Sequence, residues 1–376
     1  MRHSRKLPGR PKTFLAPTGG GLGPEDQAGG TLRSKLPEVG TTIFSVMSAL
    51  AAEHGAINLS QGFPDFPCDP ALLEALAEAS RVGHNQYAPM AGLPALREAI
   101  AAKLESQHGL SFDPDTEITV TAGGTQALFT AIAAVLHAGD EAILLDPSYD
   151  SYAPAILAQG AKPVHVGLTA PHFAVDWDGV EAAVTPRTRL LLLNNPNVYD
   201  GQTHRSVLAH PGLRPRSFAV YSFGKTFHAT GWKLGYCVAP PELTREFRKL
   251  HQFLVFSVNT PAQHAIAAHL AEPERWRSLS TFFEAKRDRL ATGLAAAGFA
   301  LLPCRGTYFQ LADFSAIRPD LDDLAFARWL TAEHGVASIP VSPFYRNPPA
   351  QRLVRFCFAK QDATLAAALE RLAGLK

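Results

Sequence analysis

Lys225 combines a nucleophilic amine with a position directly after an apolar segment, residues 218–222. The Gly-Lys-Thr sequence at 224–226 is similar to the end of a phosphate-binding P-loop. That loop needs a second glycine five residues before the first, where this chain has Ala219. A lysine in a partly desolvated pocket instead suits Schiff-base formation. On spacing alone, a solvated loop lysine is the commoner explanation.

Two further places offer groups that bind anions. Residues 121–126 (TAGGTQ) join a predicted strand to a predicted helix, where glycines let backbone N–H groups close on an anion at the helix N-terminus. Arg355 lies within the apolar residues 353–358. A charge there is costly unless it meets an internal acid or a carboxylate ligand.

An aromatic ring is expected near the same edge of the sheet. Tyr149 follows the strand predicted after that helix, although a core or surface tyrosine is the alternative interpretation. The 14 histidines form no H-E-x-x-H pair or other compact ligand spacing, so we expect no catalytic metal.

The elements that must position these residues alternate from residue 117 onward. Strands are predicted at 118–121, 142–145, 163–167, 190–194, 218–222 and 236–239, and a helix at 126–137. This alternation predicts an α/β fold, a mostly parallel sheet with helices on both faces. After residue 261, long helices (264–270 and 276–297), strands near 308–311 and 354–358 and a helix from 363 predict a separate α+β domain.

Composition limits the class of protein. With 376 residues, 46% of them hydrophobic, we expect a globular protein with a large core, divided between two domains. The balance of 35 basic against 34 acidic residues is too even to suggest a polyanion binder, so no nucleic-acid partner is expected. Four widely spaced cysteines indicate reduced thiols in a cytoplasmic protein. No segment is apolar enough for a membrane span.

Residues 1–33 are rich in glycine and proline and show no apolar period, so we expect disorder there. The first twelve residues are basic, without an acid. A targeting peptide is one interpretation, although Pro8 and Pro11 argue against the amphipathic helix of a mitochondrial signal. An upstream start codon or a simple tail is the other.

One interval interrupts the alternation. A connection between parallel strands that end at residue 194 and begin at 218 needs a crossover of a dozen or more residues, normally a helix. Only residues 206–209 would begin such a helix, and Pro211 ends it.

From about Ser34 to the C-terminus, the chain resembles the class I/II pyridoxal-phosphate-dependent aminotransferases of fold type I. Residues 222–236 (SFGKTFHATGWKLGY) are similar to the family's cofactor-lysine motif. Residues 58–65 (NLSQGFPD), 85–90 (NQYAPM) and 255–261 (VFSVNTP) resemble the methionine and kynurenine aminotransferase branch. The resemblance implies a three-layer α/β/α large domain with a smaller α+β C-terminal domain.

The resemblance also implies domain bounds. We predict a basic arm at 1–33, an N-terminal segment of the small domain at 34–60, the large cofactor-binding domain at 61–270 and the small C-terminal domain at 271–376. The side-chain pocket that sets substrate preference would lie near Phe63, Tyr149 and Phe309.

The implied reaction moves the amino group of an L-amino acid (methionine, aromatic or kynurenine-like) to a 2-oxo acid with pyridoxal 5′-phosphate. Lys225 would carry the cofactor as a Schiff base and move a proton between the substrate Cα and the cofactor C4′. Gly62 and Arg355 would bind the substrate carboxylate. The other cofactor-binding residues would be Gly124, Thr125, Gln126, Tyr149, Asn197, Ser222 and Lys233, with Tyr87 reaching the phosphate of the neighbouring subunit in a homodimer with shared sites.

The chain departs from the family after residues 194–197 (NNPN). The family continues there with a unit the size of one strand-helix-strand excursion, on the order of 30 residues. That unit carries the aspartate that pairs with the pyridine nitrogen and a tyrosine that binds the ring's 3′ oxygen. Asn197 would replace an asparagine of the unit. Tyr199 and Asp200 align beyond the gap and are not expected to take the lost roles.

We interpret this departure as an internal deletion that also removes an interior strand of the family's seven-stranded sheet. Two functions therefore stay open at this point. The chain is a working aminotransferase, or it is a catalytically impaired pyridoxal-phosphate-binding remnant. A cysteine-S-conjugate β-lyase activity is a further alternative, because the same chemistry can eliminate a β-leaving group.

Overall fold

The structure, a computed structural model, describes residues 33–194, 199–201, 204 and 206–375. Residues up to Pro37 belong to a separate N-terminal unit, and the chain from Glu38 onward forms a second unit. The disorder predicted for residues 1–33 concerns residues outside this description, Arg33 apart. Asn197 also lies outside the described residues.

Helices make up most of the regular structure. They are α1 (Ile43–Glu53), α2 (Pro70–Arg81), α3 (Pro94–His108), α4 (Gly123–Val135), α5 (Tyr152–Ala158), α6 (Trp177–Ala182), α7 (Phe223–Thr226), α8 (Pro241–Leu254), α9 (Thr260–Leu270), α10 (Glu274–Arg277), α11 (Leu279–Ala296), α12 (Asp323–His334) and α13 (Asp362–Leu372). The strands are β1 (Ile57–Asn58), β2 (Ile118–Thr121), β3 (Glu141–Asp146), β4 (Lys162–Gly167), β5 (Thr188–Leu192), β6 (Ala219–Ser222), β7 (Gly235–Val238), β8 (Ala300–Leu301), β9 (Phe309–Asp313), β10 (Val336–Ala337), β11 (Ile339–Pro340) and β12 (Leu353–Cys357).

Two three-stranded sheets carry the central part of the chain. In the order β4–β3–β5 all neighbours run parallel. In the order β2–β7–β6, strand β7 runs opposite to both neighbours, so β2 and β6 share one direction. Every residue of β2 and β7 is buried, as expected for short apolar strands covered on both faces.

Helix α4 packs against strands of both sheets. Its Ala127 and Ala131 share a small core with Cys237 of β7, because their short side chains let the helix approach the sheet closely. The next residue, Ile132, points to a different side of the helix and joins a separate core with Leu144 of β3. The apolar faces of one helix therefore connect the two sheets.

The two sheets do not join through hydrogen bonds among the described residues. Strands β5 and β6 are the edges that would have to meet, and no ladder connects them. No residue of β5 is fully buried, and Leu193 after it is 42% exposed. Within the described part of the connection the only helical segments are the 3-10 turns Val207–Ala209 and Arg214–Arg216. Among the described residues of this connection no α-helix is present, and β5 and β6 belong to separate sheets.

The C-terminal half builds its own sheet. Strands β11–β12–β9–β8 pair antiparallel, and the short pair β1–β10 runs parallel. A core of fully buried side chains joins α1, β1 and the elements from α11 onward. A second core joins α2, α3, β2, β6, β7, α9 and α10. The division into domains at residues 60 and 270 stays a prediction.

The predicted elements agree with the observed ones to within a few residues. The strand predicted at 118–121 has the bounds of β2. The helix predicted at 126–137 begins earlier, at Gly123, because the two glycines form its first turn. The helix predicted at 276–297 is divided at Ser278 into α10 and α11. Within the described chain, no helix has the length and apolar character that crossing a bilayer requires.

The first turn of α4 and strand β7 approach so closely that Gly235 has no room for a side chain. A Cβ there would lie 2.5 Å from the Tyr221 carbonyl oxygen and 3.2 Å from the Gly124 nitrogen, both rigid backbone atoms. We expect Gly235→Ala to lower the free energy of unfolding by about 2 kcal/mol through overpacking. Urea denaturation measures this.

Gly167→Ala is the matched control, since a Cβ on that strand glycine of β4 meets nothing within 4 Å. We expect it to change the unfolding free energy by less than about 0.5 kcal/mol. Equal effects of the two substitutions would contradict the close contact.

Candidate active site

Lys225 lies in a single helical turn, α7, that follows β6 directly. A Cβ on Gly224 would lie 2.9 Å from the Thr230 Cα, so glycine is needed for this turn to fold back on the chain. The Lys225 side chain is exposed, and its Nζ donates a hydrogen bond of 3.1 Å to the Gly62 carbonyl oxygen. Sheet geometry thus delivers the amine to a loop that is distant in sequence.

Partial desolvation lowers the pKa of Lys225, and the neighbouring Lys233 cation lowers it further. Cys357 acts in the opposite direction with a smaller effect than burial. A lowered pKa raises the fraction of neutral amine near pH 7. The neutral amine is the form that attacks a carbonyl carbon.

The N-terminus of α4 forms a cradle with two side chains from β6 and the loop before β7. Gly123 has a left-handed φ of +81°, and a Cβ there would lie 3.6 Å from the Lys233 Cε. A Cβ on Gly124 would lie 3.7 Å from the Ser222 Cβ. Backbone N–H groups, a hydroxyl and an ammonium group therefore meet at one helix end, a combination that suits a phosphate.

Thr125 and Gln126 occupy the same first turn of α4. Thr125 is exposed. The Gln126 side chain is fully engaged: its Oε1 accepts from the Ala122 nitrogen at 3.0 Å, and its Nε2 lies 2.6 Å from the Thr130 hydroxyl and 3.1 Å from the His251 Nδ1. Only the backbone of Gln126 is therefore left to face an anion.

Arg355 lies in the middle of β12, paired with Leu311 of β9 and Ile339 of β11. Its guanidinium carbon is 3.8 Å from the ring centroid of Phe309. The Nε and Nη2 atoms are buried, and neither has a hydrogen-bond partner among the described residues. Burial lowers the pKa of Arg355 to about 10. Buried guanidinium nitrogens without a hydrogen-bond partner are costly, so the site suits a carboxylate ligand.

Gly62 lies between the lysine and the arginine. Its carbonyl oxygen binds Lys225, and a Cβ on it would come within 2.6 Å of the Phe309 Cζ, on the ring that also contacts Arg355. The structure therefore brings together Lys225, Gly62 and Arg355, which are far apart in sequence.

Two predicted tyrosines present their rings to solvent. Tyr149 is 40% exposed after β3 and meets Tyr152 edge to face at 5.6 Å. Tyr87 is 80% exposed and packs edge to face against Phe256 at 5.2 Å. Asn197, the remaining predicted cofactor residue, lies outside the described residues.

Tyr199 and Asp200, which follow the predicted deletion, contact other parts of the chain. Tyr199 is buried in the C-terminal core, and its hydroxyl donates to the Thr307 carbonyl oxygen. Asp200 binds Arg287 through both carboxylate oxygens, at 2.9 and 3.1 Å. This placement agrees with leaving the two residues out of the lost cofactor contacts.

Sequence reasoning missed Lys360, which the structure places beside the same loop. It is 3% exposed, and its Nζ donates to the Phe63 carbonyl oxygen at 2.9 Å. The sequence does carry a signal for Lys360. It follows directly after an apolar segment that ends at Ala359, and such a position predicts a buried backbone.

Comparison with known proteins identifies the class. The sequence model of the family "Aminotransferase class I and II" matches residues 54–205 and 198–372. Methionine aminotransferase of Escherichia coli (strain K12) is 51% identical over 376 positions, covering 90% of this chain and 97% of the relative. Kynurenine–oxoglutarate transaminase of Dictyostelium discoideum is 31% identical, covering 90% and 94%.

A solved Escherichia coli structure described as having a methionine aminotransferase function superposes with a TM-score of 0.88 at 51% identity, covering 91% of this chain and 99% of that one. The fold is that of the pyridoxal-phosphate-dependent transferases of fold type I, as predicted. The chain belongs to the class I and II aminotransferases, enzymes that move an amino group from an amino acid to a 2-oxo acid.

The comparisons also bear on the interrupted interval. The family model matches in two segments that meet between residues 198 and 205, where the departure was found. The alignment with the Escherichia coli enzyme has 376 positions, but only 90% of the 376 residues of this chain take part in it. The remaining positions of the alignment are gaps in this chain. That relative therefore has residues without a counterpart here.

The lowered pKa of Lys225 gives a prediction for its reaction with a neutral aldehyde. Labelling with propionaldehyde and cyanoborohydride should rise with pH around a midpoint below the ordinary lysine pKa of 10.5, because the amine loses its proton at lower pH. Lys233→Met should move the midpoint up by removing a neighbouring cation. Peptide mass spectrometry follows each lysine.

Lys249 is the internal reference, since it is a surface lysine paired with Glu246. A Lys225 midpoint at or above 10.5, or a downward shift in Lys233→Met, would contradict the electrostatic description.

Proposed function

We propose that this protein is a pyridoxal-phosphate-dependent transaminase for L-amino acids with thioether or aromatic side chains, with a 2-oxo acid as acceptor. The observation that carries the proposal is the pair of buried Arg355 nitrogens, Nε and Nη2, that have no hydrogen-bond partner among the described residues. Contacts through Phe309 and Gly62 connect this side chain to the Lys225 amine. A cation for the carboxylate and an amine for a carbonyl thus lie along one continuous set of contacts.

The residues present fit three parts of the cofactor and substrate. Gly124, Ser222 and Lys233 would bind the phosphate at the N-terminus of α4. Lys225 would bind the aldehyde carbon. Tyr149 would lie against the ring. When bound, pyridoxal phosphate supplies an aldehyde for covalent attachment and a ring that accepts electrons from the substrate Cα.

The chain's own groups divide the work at the substrate. Arg355 would bind the α-carboxylate with two parallel N–H donors, which fixes the orientation of the Cα–H bond. The Lys225 Nζ would then remove the proton from Cα and return it at the cofactor's C4′. Its lowered pKa supports this role, because a base works best when its pKa lies near the working pH.

Aromatic side chains around the arginine support the substrate class. Phe44 and Phe344 lie 5.4 Å from the Arg355 guanidinium carbon, and Phe309 lies closer. Tyr308 packs against Phe309 at 4.7 Å. An apolar wall of this kind suits a methionine or aromatic side chain. The names of the two relatives, methionine and kynurenine aminotransferases, point the same way.

A second candidate function is attachment of the cofactor without turnover. The division between β5 and β6 favours it, because the family's partner for the pyridine nitrogen belongs to the missing unit. Asp200 does not replace that partner, since its carboxylate binds Arg287. Under this alternative Lys225 still reacts, but charge at the substrate Cα is not stabilised.

The test begins with the purified chain and added pyridoxal phosphate. Visible absorbance is recorded before and after borohydride, and reduced adducts are mapped by peptide mass. We expect the adduct on Lys225 and none at this site in Lys225→Ala. Lys249→Ala is the matched surface control and should label at Lys225 as the parent chain does.

Turnover with methionine and a 2-oxo acid then separates the candidates. Transamination abolished in Lys225→Ala supports the proposal. An adduct on Lys225 without turnover, together with activity once the missing unit is inserted from the Escherichia coli enzyme, supports the second candidate. No adduct on Lys225 would overturn both.

A homodimer with shared sites in the cytoplasm is part of this proposal. Tyr87 and Phe256 form an exposed aromatic pair, and Phe253 (86%) and Leu254 (50%) of α8 are also exposed. Apolar side chains in such numbers are typical of an interface between subunits. Facing a second subunit, Tyr87 would extend from one chain toward the phosphate of the other.

We expect sedimentation velocity to give a dimer for the parent chain and a shift toward monomer in Phe253→Ser, because a polar group would then enter the interface. Leu157→Ser, which changes an exposed residue of α5, should leave the dimer intact. A parent chain that is monomeric at micromolar concentration would contradict the shared site.

A further inference from the structure

Lys360 is an unusual lysine. It is 3% exposed, whereas lysines are rarely buried without an acidic partner. Its Nζ donates to a carbonyl oxygen, that of Phe63, at 2.9 Å, and lies 4.9 Å from the centroid of the Phe63 ring. Both contacts are made with the same residue. Burying a lysine costs free energy, and this cost calls for an explanation in the loop around Phe63 that the lysine binds.

The loop around Phe63 is fastened to the chain segment that carries Lys360. The Cys357 nitrogen donates to the Leu59 carbonyl oxygen at 2.8 Å. Further along, Gln361 and Thr364 bind Asp65 at its carbonyl and carboxylate oxygens, each at 2.7 Å. Lys360 supplies the bond at the middle of this loop, between the two anchored ends.

Two lysines hold consecutive carbonyl groups of the loop. Lys225 binds the Gly62 oxygen and Lys360 binds the Phe63 oxygen. Both lysines also act on the Cys357 thiol. Burial raises the pKa of this thiol, and the positive charges of Lys360, Arg355 and Lys225 lower it. The loop thus lies among the cations of the site.

The two lysines differ in what happens during catalysis. Under the proposed function, Lys225 must release the Gly62 oxygen when its amine bonds to the cofactor. Lys360 takes no part in that bond and keeps its donor on Phe63. The Phe63 ring is 47% exposed beside Gly62, where a substrate side chain would lie.

We propose that Lys360 is a positioning residue that holds Phe63 as a side wall of the substrate pocket and thereby sets the preference for aromatic side chains. This inference rests on the proposed function. The hydrogen bond fixes the backbone of the loop, and the contact with the ring face fixes the ring.

The first test needs no cofactor or substrate. Hydrogen exchange of the amides in residues 61–66 is compared between the parent chain and Lys360→Met, which keeps an unbranched side chain and removes the donor. We expect about tenfold faster exchange in the variant. Lys360→Arg, which keeps a donor, should restore protection in part. Lys249→Met, at an exposed pair, should change nothing.

The second test separates positioning from chemistry. In Lys360→Met, the KM for phenylalanine should rise about tenfold with kcat within about twofold, and the KM for alanine should change little. Phe63→Leu should reproduce this pattern, and the double variant should be no worse than the more affected single variant, because both changes act through one ring.

Unchanged exchange in Lys360→Met would overturn the proposal, as would equal losses for phenylalanine and alanine or a fall in kcat alone. Should Lys360→Met fail to fold, Lys360→Arg and Phe63→Leu carry the same comparison. Absence of turnover in the parent chain would count against the proposed function, whereas the exchange result would still decide whether Lys360 holds the loop.

Discussion

A single helix, α4, packs against both central sheets, and the geometry of the candidate site depends on this packing. Helix α4 packs against β6 and β7 on one side and against β5 on the other. Its N-terminus also supplies the backbone groups of the cradle beside Ser222 and Lys233. The position of helix α4 is therefore set by two requirements: it must cover both sheets, and its first turn must reach the cradle. The close approach at Gly235 belongs to the same constraint, since the space between the first turn and β7 has no room for a side chain.

The sequence predicted the strands around the site well because each is a short apolar segment between polar turns, as for β2 and β7. It also singled out Lys225 and Arg355, because their charges lie beside or within apolar segments, and their roles stay a prediction. It did not predict Lys360 or its bond to Phe63, because that contact joins residues nearly 300 positions apart and has no periodic pattern. Nor could spacing reveal that the Gln126 side chain is engaged by Ala122, Thr130 and His251.

Positive charge accumulates around the loop at Gly62 and Phe63. Lys225, Arg355 and Lys360 reach it from three elements, and their effects meet at Cys357. Buried cations are normally paired with acids. Here Lys225 and Lys360 donate to carbonyl oxygens and Arg355 contacts an aromatic ring, so none of these three contacts is with an acid. The arrangement favours a substrate that carries a carboxylate next to an apolar side chain.

Strand β6 delivers Lys225 but has a hydrogen-bonded neighbour on one side only within the described chain, β7. An interior strand is held from both sides, whereas an edge strand opens locally at lower free energy. Misplacing a reacting group by 1 Å can cost about a hundredfold in rate. The number of hydrogen-bonded neighbours of β6 therefore limits how precisely Lys225 is placed, although the lysine itself lies in α7, beyond the end of the strand.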